Sequence, residues 1–307
     1  MPKTMPNTTP STTQPHTLLH NGVRIPALGF GTFQPSASAG EGISDATAED
    51  AVFEALKVGY RLIDTAAFYQ TEGAVGRAVR RAQDELGIAR EEIFVTSKLW
   101  VTDTTYDGAL RAYNRSLERS GLDYLDLYLI HNPMHDVFGA WRALTELYTA
   151  GRVKSIGVSN FSRARLEDLT LFSEVAPHVN QIEVNVFHQQ REDVQYMREH
   201  GIQVEAWAPF ARGRHGSLDH PVLAELAAAH GVSTAQIIER WLVQRGIIPL
   251  PKSVHTDRIT ANFSIWDFDL SSDEMKVVEE LDEKTSAFFD WSDPAVYARF
   301  ASLPYEG

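Results

Sequence analysis

Short apolar runs and longer mixed stretches alternate along most of the chain. The short runs are Ala27–Phe30, Leu62–Asp64, Ile93–Ser97, Leu125–Ile130, Val153–Val158, Asn180–Val184, Gln203–Ala206 and Ile247–Leu250. Most are nearly continuous in apolar residues, the pattern of strands buried on both faces. The stretches between them place apolar residues at helical spacing. In DATAEDAVFEALKVG, Val52, Ala55 and Leu56 share one face, and Gly59 ends the segment. AVGRAVRRAQDELG, ALRAYNRSLERSG and AWRALTELYTAG stop in the same way, on the residue that closes a helix at little steric cost. Eight strand–helix alternations without a linker predict one α/β domain, a (β/α)8 TIM barrel over residues 17–307. A hairpin near His20-Asn21-Gly22 opens it, and residues 1–16, rich in Thr and Pro, read as a flexible tail. The stretch SAFFDWSDPAVYARF is expected as a loop over the barrel mouth.

In such barrels the chemistry gathers where strands end and the following loops begin. The run RLIDTAAFYQTE closes its strand on Asp64 and puts Tyr69 in the next loop. IFVTSK ends at Lys98, with Trp100 beyond it, and LDLYLIH ends at His131. Singly, each has an ordinary structural reading: a helix-capping acid, a packing aromatic, a solvated lysine, a core histidine. Together they bring four different titratable groups to one rim, as a proton-transfer site requires. An ammonium beside a phenol is expected to lower the phenol's pKa, and a carboxylate beside the ammonium to hold it charged. The imidazole is expected to share a hydrogen bond with the phenol or to orient a carbonyl. Tyr69 is then the expected proton donor to a carbonyl, and the acceptor in reverse.

Composition narrows the partners. With 28 basic and 41 acidic residues the formal charge is −13, which disfavours nucleic acid. The absence of cysteine excludes disulfides, thiolate metal sites and cysteine nucleophiles, and suits a reducing, cytoplasmic setting. No apolar run approaches the ~20 residues of a membrane span. No metal is expected: Gly-Phe-Gly-Thr after the first strand offers no ligand, and Pro133 separates His131 from His135. Gly29-Phe30-Gly31 lacks the third glycine of a dinucleotide fingerprint and reads as a tight turn.

The blocks NGVRIPALGFGTF, GYRLIDTAAFYQTEGAVGRAV, VTSKLW, DLYLIH, GRVKSIGVSNF, NQIEVN and IPLPKSVHTDRITANF carry a resemblance. From about Leu19 to Phe289 the chain resembles the aldo-keto reductases, NADPH-dependent (β/α)8 enzymes that interconvert carbonyls and alcohols. GAWRALTELY, FHQQ and VEAWAP bring it nearest to the bacterial branch around the 2,5-diketogluconate reductases. The resemblance implies a monomeric reductase of small-molecule carbonyls, with Asp64, Tyr69, Lys98 and His131 as its catalytic tetrad. It also implies NADPH (NADP+) as cofactor. Ser159, Asn160 and Gln181, a hydroxyl and two amides, match both the donor and the acceptor of a nicotinamide carboxamide. Trp207 would stack on the nicotinamide ring, where many relatives have Tyr. Lys252, Ser253, Val254 and Arg258 put two cations and a hydroxyl near a helix start, which suits a phosphate monoester. By resemblance this cluster grips the 2′-phosphate and Asn262 contacts adenine. Gly31, Thr32, Ala208, Pro209 and Phe210 complete the cofactor site, with Arg212 or Arg214 facing the pyrophosphate. Ala261, His255 and Ala208 depart from the Glu, Arg and Ser common in relatives.

The expected substrate pocket is aromatic: Phe33, Phe68 and Trp100, with Phe289 or Trp291 folded over the mouth. Asn132 stands where relatives often have Trp, which makes that wall smaller and more polar. Small to medium aldehydes, α-diketones or sugar-derived carbonyls are expected. The alternative is a non-enzymatic NADPH-binding sensor or partner subunit.

Overall fold

An antiparallel hairpin, β1 (His16–Leu18) and β2 (Arg24–Pro26), comes first in the computed structural model, which describes residues 14–33, 44–303 and 305. The predicted tail lies mostly on residues 1–13, outside the described residues. Order begins before residue 17, however: Gln14 is buried and its Nε2 donates to the Leu28 carbonyl at 3.0 Å.

Eight parallel strands follow, each paired to the next in chain order: β3 (Phe30–Gly31), β4 (Leu62–Asp64), β5 (Phe94–Leu99), β6 (Leu125–Ile130), β7 (Val153–Ser159), β8 (Val179–Glu183), β9 (Gln203–Trp207) and β10 (Ile248–Leu250). The ring closes between β3 and β10, where the Gly29 N–H donates to Pro249 O at 3.0 Å and the Gly31 N–H to Pro251 O at 2.8 Å. The two prolines bring carbonyls to this seam but no N–H, so only the glycine side donates. The close approach explains the glycines. A Cβ on Gly29 would lie 2.4 Å from Leu250 Cδ2, and one on Gly31 would lie 3.1 Å from Leu250 O. The sequence had suggested a tight turn here; Gly-Phe-Gly is instead the closing strand.

The helices α1 (Asp45–Val58), α2 (Glu72–Leu86), α3 (Tyr106–Ser120), α4 (Val137–Thr149), α5 (Arg163–Leu171) and α6 (Arg191–Glu199) each follow one of the strands β3 to β8. The pair α7 (Pro221–His230) and α8 (Thr234–Gln244) lies between β9 and β10. Helix α1 buries Ala48, Ala51, Val52, Ala55 and Leu56, the 3–4–7–8 spacing of an amphipathic face on the barrel. After β10 come α9 (Thr256–Phe263), α10 (Ser272–Glu279) and α11 (Pro294–Ser302).

That last helix was expected as loop. Asp293 accepts from the Ala295 N–H and Pro294 takes the first helical position, a pairing that starts helices well. Two cores result. The larger fills the layer between barrel and helices, while Leu19, Ile25, Leu62, Phe94, Leu127, Leu129, Val179, Ile248 and Leu250 fill the barrel under the mouth, with the hairpin as floor. Among the described residues no helix is long and apolar enough to cross a membrane.

Candidate active site

Side chains on a strand alternate, so residues two apart share a face. Leu62 and Asp64, Phe94 and Lys98, and Val179 and Gln181 each share the interior face of their strand, the apolar residue below and the polar one at the mouth. Lys98 is fully buried. Its Nζ donates to Asp64 Oδ1 at 2.8 Å and Oδ2 at 2.7 Å, to Thr65 O at 3.0 Å and to Tyr69 Oη at 3.3 Å. Tyr69 ends a 3-10 turn, Ala67–Tyr69, directly after β4, which swings the phenol back over the ion pair. Thr32 Oγ1 donates to Asp64 O at 2.9 Å and tethers β3 to the same corner.

Electrostatics follow from burial. Burial works to lower the Lys98 pKa, but Asp64 and Tyr69 outweigh it and hold the ammonium above its ordinary value. Burial raises the Tyr69 pKa and Lys98 pulls it back only in part, so the phenol stays above its ordinary value. The expected lowering is thus overturned: desolvation exceeds the ammonium's attraction. His131, desolvated and near Lys98, is held well below the usual histidine range and stays neutral. It meets Tyr69 edge to face, with ring centroids 5.5 Å apart, and its Nδ1 is buried without a partner.

A cavity of about 610 Å³ opens over this group. Asp64, Tyr69, His131, Gly31, Phe33, Phe68 and Asn132 line it, as do Ser159, Asn160, Gln181, Trp207, Ala208, Pro209, Phe210, Arg212, Lys252, Phe289 and Trp291. Lys98 and Thr32 stand behind the wall. Trp100 is also behind it, a correction to the pocket expected from sequence. It is only 1 % exposed and stacks on Phe68 at 3.9 Å, backing the wall instead of forming it. Asn160 takes a left-handed φ of 62°, accepts from Trp207 Nε1 at 2.8 Å and donates to His131 O and Asn132 Oδ1. It therefore fixes the indole edge as well as facing the cavity.

The cofactor candidates divide. Gln181 spends both amide hydrogens on Asp64 and Glu205, leaving Oε1 as its remaining polar atom. Ser253 Oγ accepts from the His255 N–H at 3.1 Å, just before α9, whose first turn carries Arg258. Ser253, Val254, Arg258 and Asn262 lie beyond the cavity lining, while Lys252 stands on it. Among the described residues Lys252, Arg212 and Arg258 have no carboxylate partner, in a chain with a 13-charge acidic excess. Arg212 lies over the Phe33 ring at 4.5 Å and the Phe288 ring at 5.0 Å. Ala208, Ala211, Arg212 and His215 all have positive φ, at roughly 1–2 kcal/mol each, the type of strain that gathers at ligand loops.

Several residues at the mouth escaped the sequence reading. Arg299, Phe300 and Leu303 line the cavity from α11 and its end. Glu183 closes β8 and anchors the segment that follows α10. It accepts from Ser286 Oγ at 2.5 Å, from the Ala287 N–H at 3.0 Å and from Asn185 Nδ2 at 3.0 Å. The strand-end rule that found Asp64 applies equally to Glu183 and would have found it. Glu205, completely buried in β9, was also missed, because an acid inside an apolar run gives no sign of facing inward.

The aldo/keto reductase family model matches residues 27–283. The uncharacterized oxidoreductase YtbE of Bacillus subtilis is 46% identical over 271 residues, 88% of this chain and 94% of that protein. The glyoxal reductase of the same organism is 44% identical over 86% of this chain and 92% of its own. The crystal structure of a Bombyx mori aldo-keto reductase in complex with NADP superposes with a TM-score of 0.86 at 35% identity, over 95% of this chain and 98% of that one. A closed eight-stranded barrel, these blocks in order and matches across nearly the whole chain have one meaning: the protein belongs to the aldo/keto reductase family.

Proposed function

We propose that the protein is an NADPH-dependent carbonyl reductase that converts small aldehydes and ketones, α-dicarbonyls foremost, to alcohols with Tyr69 as proton donor. The observation that carries this reading is the Lys98–Tyr69 contact on a cavity wall. Lys98 donates to the phenol oxygen, so the phenol's own proton is free to point at a carbonyl oxygen in the cavity. The bound cofactor supplies the hydride to the carbonyl carbon. As the proton leaves, Lys98, held by Asp64 and Thr65, faces the phenolate at once and needs no rearrangement. Neutral His131 is no rival acid, and its polar edge helps to orient the carbonyl.

Cofactor residues fit the group. Gln181 offers an acceptor, and Lys252 and Arg212 on the cavity wall, with Arg258 beyond it in the first turn of α9, offer unpaired cations for its phosphates. Asn132 Nδ2 is buried without an acceptor beside His131, which suits a second oxygen on the substrate, as in a dicarbonyl. The glyoxal reductase among the relatives supports the same substrate class.

The test mixes purified protein with NADPH and methylglyoxal, 4-nitrobenzaldehyde or 2,5-diketogluconate, and follows loss of reduced-cofactor absorbance. Turnover of at least one, abolished in Tyr69→Phe, is expected. Tight NADPH binding with no turnover of any would replace the enzyme by the sensor or partner-subunit reading. Full activity in Tyr69→Phe would end the proposed proton route.

A further inference from the structure

Beneath the mouth lies a carboxyl group that the proton route does not use. Glu205 is completely buried in β9, paired in register with Gln181 of β8 and Ile248 of β10. Its Oε2 accepts from Gln181 Nε2 at 2.8 Å, while its Oε1 is buried with no partner. The second hydrogen of that same amide goes to Asp64 Oδ1 at 2.8 Å. One amide thus bridges two carboxyl groups, and its carbonyl oxygen is left for the cavity. Since only the NH2 end serves a carboxylate, Glu205 and Asp64 jointly fix which way Gln181 points.

The charges close to Glu205 are few. Asp64 on β4 and Lys98 on β5 act on it, while β8 and β10 offer the uncharged Gln181 and Ile248. Asp64 and Lys98 carry opposite charges, with Asp64 acting the more strongly on Glu205, so ionised Glu205 would leave a net negative charge in a desolvated place. Burial first, and the Asp64 charge second, push its pKa up to about 7. Among the described residues of the barrel interior, Glu205 is the carboxyl whose charge is poised to change near neutral pH. An oxidised nicotinamide ring is a cation and a reduced ring is neutral.

We propose that Glu205 is a positioning residue that acts through Gln181 as a proton-linked counter-charge, so that NADP+ binding expels its proton and NADPH binding does not. The inference rests on the cofactor reading given above. By linkage, NADP+ then binds more tightly, relative to NADPH, as the pH rises.

Calorimetric titration of the protein with NADP+ and with NADPH, at pH 7 in buffers of different ionisation enthalpy, counts the protons released. The 2′-phosphate, with a pKa near 6, titrates in both forms, so their difference isolates the ring. Wild type is expected to release a measurable fraction of a proton more with NADP+ than with NADPH. In Glu205→Gln, which keeps shape and size, the difference should vanish. A second measurement uses wild type alone: the NADP+ to NADPH dissociation-constant ratio should fall several-fold between pH 6 and pH 8. Equal proton release from both forms, or a difference that persists in Glu205→Gln, overturns the inference while leaving the cofactor reading intact. A wild-type protein that binds no NADPH overturns both.

Discussion

The two halves of the barrel interior are built by the same strands and behave in opposite ways. In the lower half, Leu62, Phe94, Leu127, Leu129, Val179 and Ile248 pack with the hairpin into a closed apolar plug. Further along the same face come Asp64, His131 and Gln181, two residues beyond Leu62, Leu129 and Val179, and Lys98, four beyond Phe94. Two to four residues, roughly 7–13 Å along the strand, separate packing from chemistry. Strands β4, β5, β6 and β8 therefore serve both purposes, and the plug sets how firmly the polar layer above it is held.

The sharpest way to break the comparison is at the top. Tyr69→Phe should lower kcat/KM by about 10³-fold, within the range for loss of a general acid, while NADPH affinity measured by fluorescence stays within about twofold. Lys98→Met removes the partner of a buried carboxylate. It should lower folding stability by about 3–5 kcal/mol in urea titrations as well as abolish turnover, showing that the polar layer also has structural weight. At the bottom, Leu127→Ala should lower stability by about 2–5 kcal/mol with kcat nearly unchanged at a temperature where the variant remains folded.

Glu239 on α8 sharpens the contrast with Glu205. Both of its oxygens are buried and without a partner among the described residues, and it lies near Tyr60, outside the cavity lining. Burial raises its folded pKa well above the carboxylate range. Above the unfolded value of about 4.5 the unfolded chain ionises first and binds fewer protons, so stability falls as pH rises. Glu239→Leu should remove that decline and add about 1–3 kcal/mol at pH 7, with less gain at pH 5, as read by thermal unfolding at both values. The smallest effect is expected at Arg299, an exposed cation on the cavity rim. Arg299→Ala should raise KM for the anionic 2,5-diketogluconate by about 2–5-fold and leave neutral methylglyoxal unchanged.

Much of this was legible in the chain. The barrel follows from apolar runs of strand length separated by amphipathic stretches, and the meeting of Asp64, Tyr69, Lys98 and His131 from reading polar residues where those runs stop. What stayed hidden depends on three-dimensional balance. No spacing reveals that burial outweighs Lys98 at the Tyr69 oxygen. Trp100 looked like a pocket wall because it follows a strand end, but Phe68 covers it. Glu205 gave no signal because the inward parity of β9 becomes visible only once its register with Gln181 is known. The helix at Pro294–Ser302 was written plainly in Asp293-Pro294, and was masked by the aromatic run before it.

The seam between Gly29–Gly31 and Pro249–Pro251 sets an order of events during synthesis. Its two halves lie about 220 residues apart, so the ring cannot shut until nearly the whole chain has emerged. Strands β4 to β6, which carry the tetrad, leave the ribosome early and can pair among themselves. The cavity, with Gly31 on one side of the seam and Lys252 on the other, exists only after β10 arrives. A nascent chain thus holds its acid and its ammonium long before it has anywhere to bind a cofactor. The cavity arrives last, in a single closing step, and a truncation before β10 would keep the Asp64–Lys98–Tyr69 cluster and lose the cavity above it.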